Sequence, residues 1–302
     1  MSTIGSPTSK YAHRLRVWTD LRRLNAALPD SRFGFDFSAF IPDFRGSSSA
    51  IEHLVDLPCY KSSRTIFIAP DNSLQGLRFR ALKDGKRVLT TTYAIRRGFI
   101  LLDPGRIEQD SLQLASLLDG MERPSIGTSV SISQMHEQIG RIGLCVTGAG
   151  AIGSNGIRIG KDHGFFDLAW GMLFDRELVN TETPVAAIVH QCQVVQVEQH
   201  DAEQFVAAPW DVPCNLIIIP DKVYRVAGLP KPQSGILWNK LEPKQLESIL
   251  VLQELKGIQM MEKIMKAGTG NPEPAKPKET EPSADELLGI QMMERIMKGL
   301  KP

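Results

Sequence analysis

Six short runs of apolar and β-branched residues fix what this chain can fold into. They are Thr65–Ala69, Arg87–Thr92, Phe99–Leu102, Leu144–Ala151, Val185–Val189 and Leu216–Ile219. Helix-like stretches lie between them, at Ser73–Lys83, Asp110–Leu118, Ser133–Ile139 and Leu168–Leu178. Strands that are apolar nearly throughout must be covered on both faces. An α/β fold with a largely parallel sheet between helices meets that requirement.

Ligands of such sheets sit beyond the carboxyl ends of the strands. That rule places Pro70-Asp71, Gly148–Asp167, His190-Gln191 and Pro220-Asp221 at one rim. The densest chemistry is around the longest of these rim positions, in LCVTGAGAIGSNGIRIGKDHGFFDL, from Leu144 to Leu168. Its glycines let backbone amides approach an anion, Arg158 and Lys161 supply positive charge, and Asp167 is a candidate metal ligand. Together they read as a phosphate site.

Gly148–Gly153, GAGAIG, also satisfies the dinucleotide fingerprint G-x-G-x-x-G. That fingerprint needs a helix opening at its last glycine and a second strand ending in an acid. Here turn formers follow, no helix starts before about Phe165, and the next strand ends in His190. A phosphate site is therefore favoured over a nicotinamide site. His163 reads as a phosphate or substrate contact, or as an exposed loop histidine. His190 fits backbone hydrogen bonding better than catalysis, and Asp71 and Asp221 suit helix capping as well as ligand binding.

A chain of 302 residues holds one large α/β domain or two smaller ones, and its formal net charge of +1 gives no electrostatic reason to expect nucleic acid or an anionic membrane. There is no membrane-length apolar run and no secretory leader, which makes cytoplasm the expected location. Cys59, Cys145, Cys192 and Cys214 are scattered, without metal or disulfide spacing. Near the amino terminus Lys10–Leu24 reads as an amphipathic helix, with Lys10 and Arg14 four apart on one face. An aromatic-rich stretch, Phe33–Phe44, and a second helix, Ser47–Leu57, follow it.

The composition changes after Trp238. A helix is expected over 242–267, a Pro-, Glu- and Lys-rich disordered linker over 268–285, and a short amphipathic helix over 286–302. ELKGIQMMEKIMK, at Glu254–Lys266, returns 32 residues later as ELLGIQMMERIMK, at Glu286–Lys298. Leu255, Ile258, Met261 and Met265, and in the second copy Leu287, Ile290, Met293 and Met297, form one apolar stripe per helix. Packing against the domain is one reading of these stripes. Near-identity of the copies favours the other, a bivalent docking element for a protein partner, tethered so that avidity exceeds single-site binding. Short helices on such a leash resemble in type the peptides that recruit enzymes into bacterial microcompartments.

The order of motifs resembles the 5-formyltetrahydrofolate cyclo-ligase, or methenyltetrahydrofolate synthetase, family, and most closely its divergent synthetase-domain branch. The matching pieces are K-x-x-x-R at Lys10 and Arg14, PDFRG at Pro42–Gly46, APD at Ala69–Asp71, LRFRAL, DGK, LLDP and VTGAGAI. They continue with GKDHGFFD, TPVAAIVHQCQVV, IIIPDKV and PKPQSGILW, and together cover residues 10–240. The resemblance implies a three-layer α/β sandwich over that span, followed by the helical and disordered tail. It also implies ATP, magnesium and a reduced folate. In that chemistry the formyl oxygen takes the terminal phosphoryl group of ATP, and the neighbouring nitrogen closes the ring to give 5,10-methenyltetrahydrofolate.

Carried over residue by residue, the resemblance puts Lys10, Arg14, Gly160, Lys161, Gly164, Phe165 and Asp167 on ATP phosphate, with Asp167 also at the metal. Arg158, Lys161 and His163 are the candidate catalytic residues. Leu168 stands where the cyclo-ligases have Arg, Asp162 and His163 replace two glycines, and Phe165 and Phe166 replace tyrosines. The leading reading is an ATP- and magnesium-dependent cyclo-ligase. The alternative is a catalytically silent nucleotide- or folate-binding paralogue that acts through its tail as a scaffold or cargo protein, recruited to an assembly or microcompartment.

Overall fold

The computed structural model describes residues 7–159, 164–197, 206–226 and 229–268, with side chains from 12 to 266 within those spans. Its centre is an eight-stranded sheet. In chain order the strands are β1 (Thr65–Ile68), β2 (Arg87–Thr91), β3 (Phe99–Leu102), β4 (Thr128–Val130) and β5 (Leu144–Thr147). A separate three-stranded sheet takes β6 (Ala151–Gly153), β7 (Arg158–Ile159) and β9 (Val194–Val195). β8 (Val185–Ile188), β10 (Leu216–Ile219) and β11 (Lys222–Arg225) complete the large sheet, in the order β11-β10-β8-β5-β1-β2-β3-β4. The five strands from β10 to β2 are parallel, and antiparallel strands extend both edges.

The helices are α1 (Pro7–Arg23), α2 (Ser47–Val55), α3 (Pro58–Ser62), α4 (Gln75–Lys83), α5 (Leu112–Ala115), α6 (Leu118–Met121), α7 (Met135–Ile139), α8 (Phe165–Asp175), α9 (Pro243–Ser248) and α10 (Leu250–Gly268). All residues of β1, β3, β5, β8 and β10 are buried, as two-sided covering requires. The largest core cluster joins these strands to side chains of α2, α4 and α8. A second cluster joins Val17 and Leu21 of α1, and Phe37 and Phe40, to Ala151, Ile159 and Val195 of the small sheet. That packing fixes α1 and everything it carries.

Two expectations change, and the disfavoured dinucleotide reading is excluded. The apolar run Leu144–Ala151 is two strands in two sheets, because the chain leaves the large sheet after Thr147 and turns through Gly148 and Gly150. Since β6 follows where the dinucleotide fingerprint demands a helix, that reading fails. The helix expected over Asp110–Leu118 is broken into a 3-10 turn, α5 and α6.

The domain core also runs past residue 240, because Ile249, Leu252 and Leu255 join the cluster that covers the sheet. Contacts divide the chain into units 1–258 and 259–302, and the described part of the second is the last stretch of α10. The expected linker and the second repeat, with Leu287, Ile290, Met293 and Met297, lie outside the described residues.

Candidate active site

The strand order reverses at β1: the chain passes to β2 on one side, while β5 lies on the other. Open, mostly parallel sheets bind ligands in the crevice at such a point. Ala69–Asn72 after β1, Thr91, Tyr93 and Ala94 at the end of β2, and Thr147-Gly148 at the end of β5 line a cleft of about 350 Å³. Its other walls come from α1 through Arg14, from the loops bearing Arg32, Phe40 and Ile41, from the first turn of α8, and from Trp210-Asp211.

The floor is built for close approach. A side chain at Gly148 would put its Cβ 2.8 Å from Ser73 Oγ and 3.2 Å from Asp71 Oδ2, and the Gly148 N–H donates to that carboxylate oxygen at 2.8 Å. Arg78, on α4 and buried, donates to the carbonyls of Ala69 at 2.9 Å, Asp71 at 3.1 Å and Ser116 at 2.8 Å. Burial lowers the Arg78 pKa to about 10. The Pro70-Asp71 turn is thus tied down from both sides.

On the opposite wall Arg158 and Asp167 form a buried ion pair, Nη2 to Oδ1 at 2.5 Å, with side chains 7% and 12% exposed. The guanidinium carbon lies 4.4 Å from the centre of the Phe166 ring, and the Val212 N–H donates to Asp167 Oδ1 at 2.9 Å. Burial pushes the Asp167 carboxyl above its ordinary range, against the pull of Arg158. Burial also lowers Arg158, but the charge of Asp167 carries its pKa upward. Gly164 caps α8 in the left-handed region, φ 53°, and faces the cleft beside Asp167 Oδ2.

The structure therefore brings Arg14, Arg158, Gly164, Phe165 and Asp167 to one cleft. Gly160, Lys161 and His163 lie outside the described residues, and Lys10 is described only as backbone in α1. Leu168 is buried in the core at 9% exposure. His190 is outside the lining. Its Nδ1 accepts from the Cys192 N–H at 3.3 Å and its N–H donates to Gln193 Oε1 at 2.7 Å, which makes it the cap of a 3-10 turn, its pKa lowered by burial. Asp221 lies in the exposed turn between β10 and β11.

Leu255 and Ile258 correct the docking stripe of the first repeat. Leu255 is 0% exposed in the core and Ile258 packs against it, because α10 uses that half of its apolar face to cover the domain. Met261 and Met265 are 55% and 66% exposed.

Sequence reasoning missed Arg32 and Asp30. Arg32 lines the cleft and pairs with Asp30 through Nε at 3.2 Å and Nη2 at 3.1 Å. Arg32 N–H and Asn72 Nδ2 also donate to that carboxylate, each at 2.7 Å. The Arg32 guanidinium holds the Asp30 carboxyl far below the usual carboxylate range, against the effect of burial. The available signal was the turn composition of DSRFG, which favours an Asx turn.

Fold and cleft define the class: an α/β protein with a cationic, aromatic-walled ligand cleft at a sheet switch point. The model of the 5-formyltetrahydrofolate cyclo-ligase family matches residues 8–220, and the chain belongs to that family. It is 30% identical over 251 residues to the methenyltetrahydrofolate synthase domain-containing protein of Mus musculus, covering 82% of this chain and 63% of that one. The Bos taurus protein of the same name is 31% identical over 251 residues, 82% of this chain and 62% of that one. The chain thus spans under two thirds of the length of these relatives. The NMR structure of Aquifex aeolicus 5,10-methenyltetrahydrofolate synthetase aligns with 15% identity and a TM-score of 0.42, over 74% of this chain and 95% of that one.

Proposed function

We propose that the cleft binds ATP beside a reduced folate and closes 5-formyltetrahydrofolate to 5,10-methenyltetrahydrofolate. The formyl oxygen attacks the terminal phosphorus and ADP leaves. The folate N10 then attacks the activated carbon, the five-membered ring forms and phosphate departs. No covalent enzyme intermediate is needed, so the work is positioning and charge neutralisation. One observation carries the reading: Arg14, Arg158, Asp167 and Gly164 line one cleft at the carboxyl ends of β1 and β5.

In this reading Arg14 and Arg158 face phosphate, with Asp167 orienting Arg158. The amino end of α8 offers backbone amides behind Gly164. Lys10, Gly160, Lys161 and His163 join them as proposed phosphate and catalytic residues. Phe40, Tyr93 and Phe165 give flat rings a wall. Magnesium fits as a partner of the nucleotide. Among the described residues no cluster of three or more carboxylate, His or Cys groups cages a metal. Magnesium, however, takes one or two carboxylate oxygens with phosphates supplying more. Asp167 Oδ2, on the Gly164 side of a carboxylate whose Oδ1 is engaged, is such an oxygen. When bound, the ion would neutralise charge on the transferring phosphoryl group.

The test is purified protein with 5-formyltetrahydrofolate, ATP and magnesium, followed by methenyl absorbance, with ATP binding by calorimetry. Turnover supports the proposal, binding of both ligands without turnover supports the silent paralogue, and binding of neither removes both.

A second reading concerns the tail. Met261, Ile264 and Met265 are large, apolar and 55%, 66% and 66% exposed. They belong to the repeated motif whose second copy carries Leu287, Ile290, Met293 and Met297. We infer that the copies dock a protein partner and recruit the domain to an assembly, in the cytoplasm or a microcompartment. Deleting residues 268–302 should leave melting and nucleotide binding intact and abolish recovery of that partner. A collapsed melting transition would refute it.

A further inference from the structure

Resting on the folate reading above, we infer that Arg32 is the residue that recognises the glutamate carboxylate of the folate, with Asp30 and Asn72 as its positioning residues. The cations of the cleft are graded in exposure. Arg14 is 8% exposed and the Arg158 side chain 7%, while the Arg32 side chain is 35% exposed. The buried cations suit the compact phosphates, which must be held away from water. The half-exposed one suits the end of the ligand that leaves the cleft.

The aromatic wall leads to it. Tyr93 and Phe40 line the cleft and each stacks on Phe33 with ring centres 6.1 Å apart, while the Arg32 guanidinium covers Phe33 at 5.5 Å. An aminobenzoyl ring resting on Tyr93 and Phe40 would therefore carry its glutamate toward Arg32. Nε and Nη2 of Arg32 are committed to Asp30. Its Nη1 lies 3.8 Å from Asp119, whose side chain is 91% exposed. A carboxylate can take the Nη1 donors by displacing that weak, solvated contact.

Asp30 has a 5% exposed side chain. It accepts from Arg32 at Nε, Nη2 and the backbone N–H, from the Phe33 N–H and from Asn72 Nδ2. That many donors on one carboxylate hold the guanidinium in one orientation before a ligand arrives, which lowers the entropy lost on binding.

The test compares 5-formyltetrahydrofolate with 5-formyltetrahydropteroate, the same ring system without glutamate, by calorimetry on the full chain, with ATP titrated separately. Wild type should bind the folate about tenfold more tightly than the pteroate, the scale of one charged hydrogen bond. Arg32→Met should erase that preference and leave pteroate and ATP affinity within about twofold. Arg32→Lys, which keeps the charge and loses the fork to Asp30, should retain only part of it. Three outcomes overturn the inference: an unchanged preference in Arg32→Met, equal weakening of both folates, or loss of ATP affinity alone. A wild type that binds neither folate defeats the folate reading itself, a result separable from failure at Arg32.

Discussion

Asp167→Asn isolates the charge of the buried pair with little change of volume. The substitution removes the partner of Arg158, a guanidinium whose side chain is 7% exposed and packed on Phe166. An uncompensated buried charge costs about 3–5 kcal/mol, while replacing both partners by neutral groups of similar size costs far less. At roughly 2–4 °C per kcal/mol for a domain of this size, the melting temperature should fall by about 6–20 °C. Arg158→Met alone should cost a comparable amount, since it leaves the Asp167 carboxylate buried beside the Val212 N–H. The double variant Arg158→Met/Asp167→Asn should lie within about 2 kcal/mol of wild type. Met can lie on Phe166, and the Asn carbonyl can still accept from Val212. Urea unfolding with an unchanged slope is the assay, because a midpoint shift then reports stability alone. If Asp167→Asn leaves the midpoint where it was, or the losses of the two single variants simply add in the double, the pair is not the buried charge unit argued here.

Three further outcomes are expected. Because Arg32 holds the Asp30 pKa below that of an unfolded aspartate, about 3.9, its stabilisation is complete above about pH 4 and lost as pH falls toward the folded value. Asp30→Asn should therefore be less stable than wild type at pH 7 and flatter between pH 4 and pH 2, by urea midpoint. Gly46→Ala meets both a φ of 88° and a Cβ position 2.9 Å from Pro220 Cγ, so it should lower stability by about 2 kcal/mol in the same assay. Leu255→Ala, at a site 0% exposed, should cost about 2–5 kcal/mol, whereas Met265→Ala, 66% exposed, should stay within about 0.5 kcal/mol. Equal effects at those two positions would show that the first repeat is not divided between core and surface.

The strands were readable because burial on both faces leaves an uninterrupted apolar run, and five of the six expected runs match strands to within a residue. The sixth, Leu144–Ala151, was misread because its composition stays apolar where its glycines let the chain change sheets. Residues 242–267 read as one helix, but the chain breaks at Ile249, and Leu252 and Leu255 join the core. The residues proposed to face phosphate were partly visible because most of them cluster within one loop. Arg32 was not, since its meaning depends on Asn72 contacting Asp30 across 42 positions. Arg78 was hidden for a similar reason. On a helix an arginine reads as solvated, and only the fold reveals three carbonyls aimed at its buried head.

Where α8 begins, Phe166 and Leu168 stand where the resemblance implies a tyrosine and an arginine, and the packing shows what they do. Phe166 lies 5.9 Å from Phe67 and beneath Arg158, so its ring serves as a platform between core and cation. A tyrosine hydroxyl is not required for that. Leu168 is buried with the core, so the turn contributes Asp167 as its charged group, and that charge is already matched by Arg158. Among the described residues, the cleft draws further positive charge from other elements. Arg14 arrives from α1 and Arg32 from the loop after it, both outside the glycine-rich segment. Placement of Arg14 depends on Val17 and Leu21 packing against Ala151 and Ile159 of the small sheet. Placement of Arg32 depends on Asp30 and Asn72. A cleft whose cations come from separate elements keeps its charge only while those elements stay docked. That makes the second core, which joins α1 to the small sheet, part of what holds the site together.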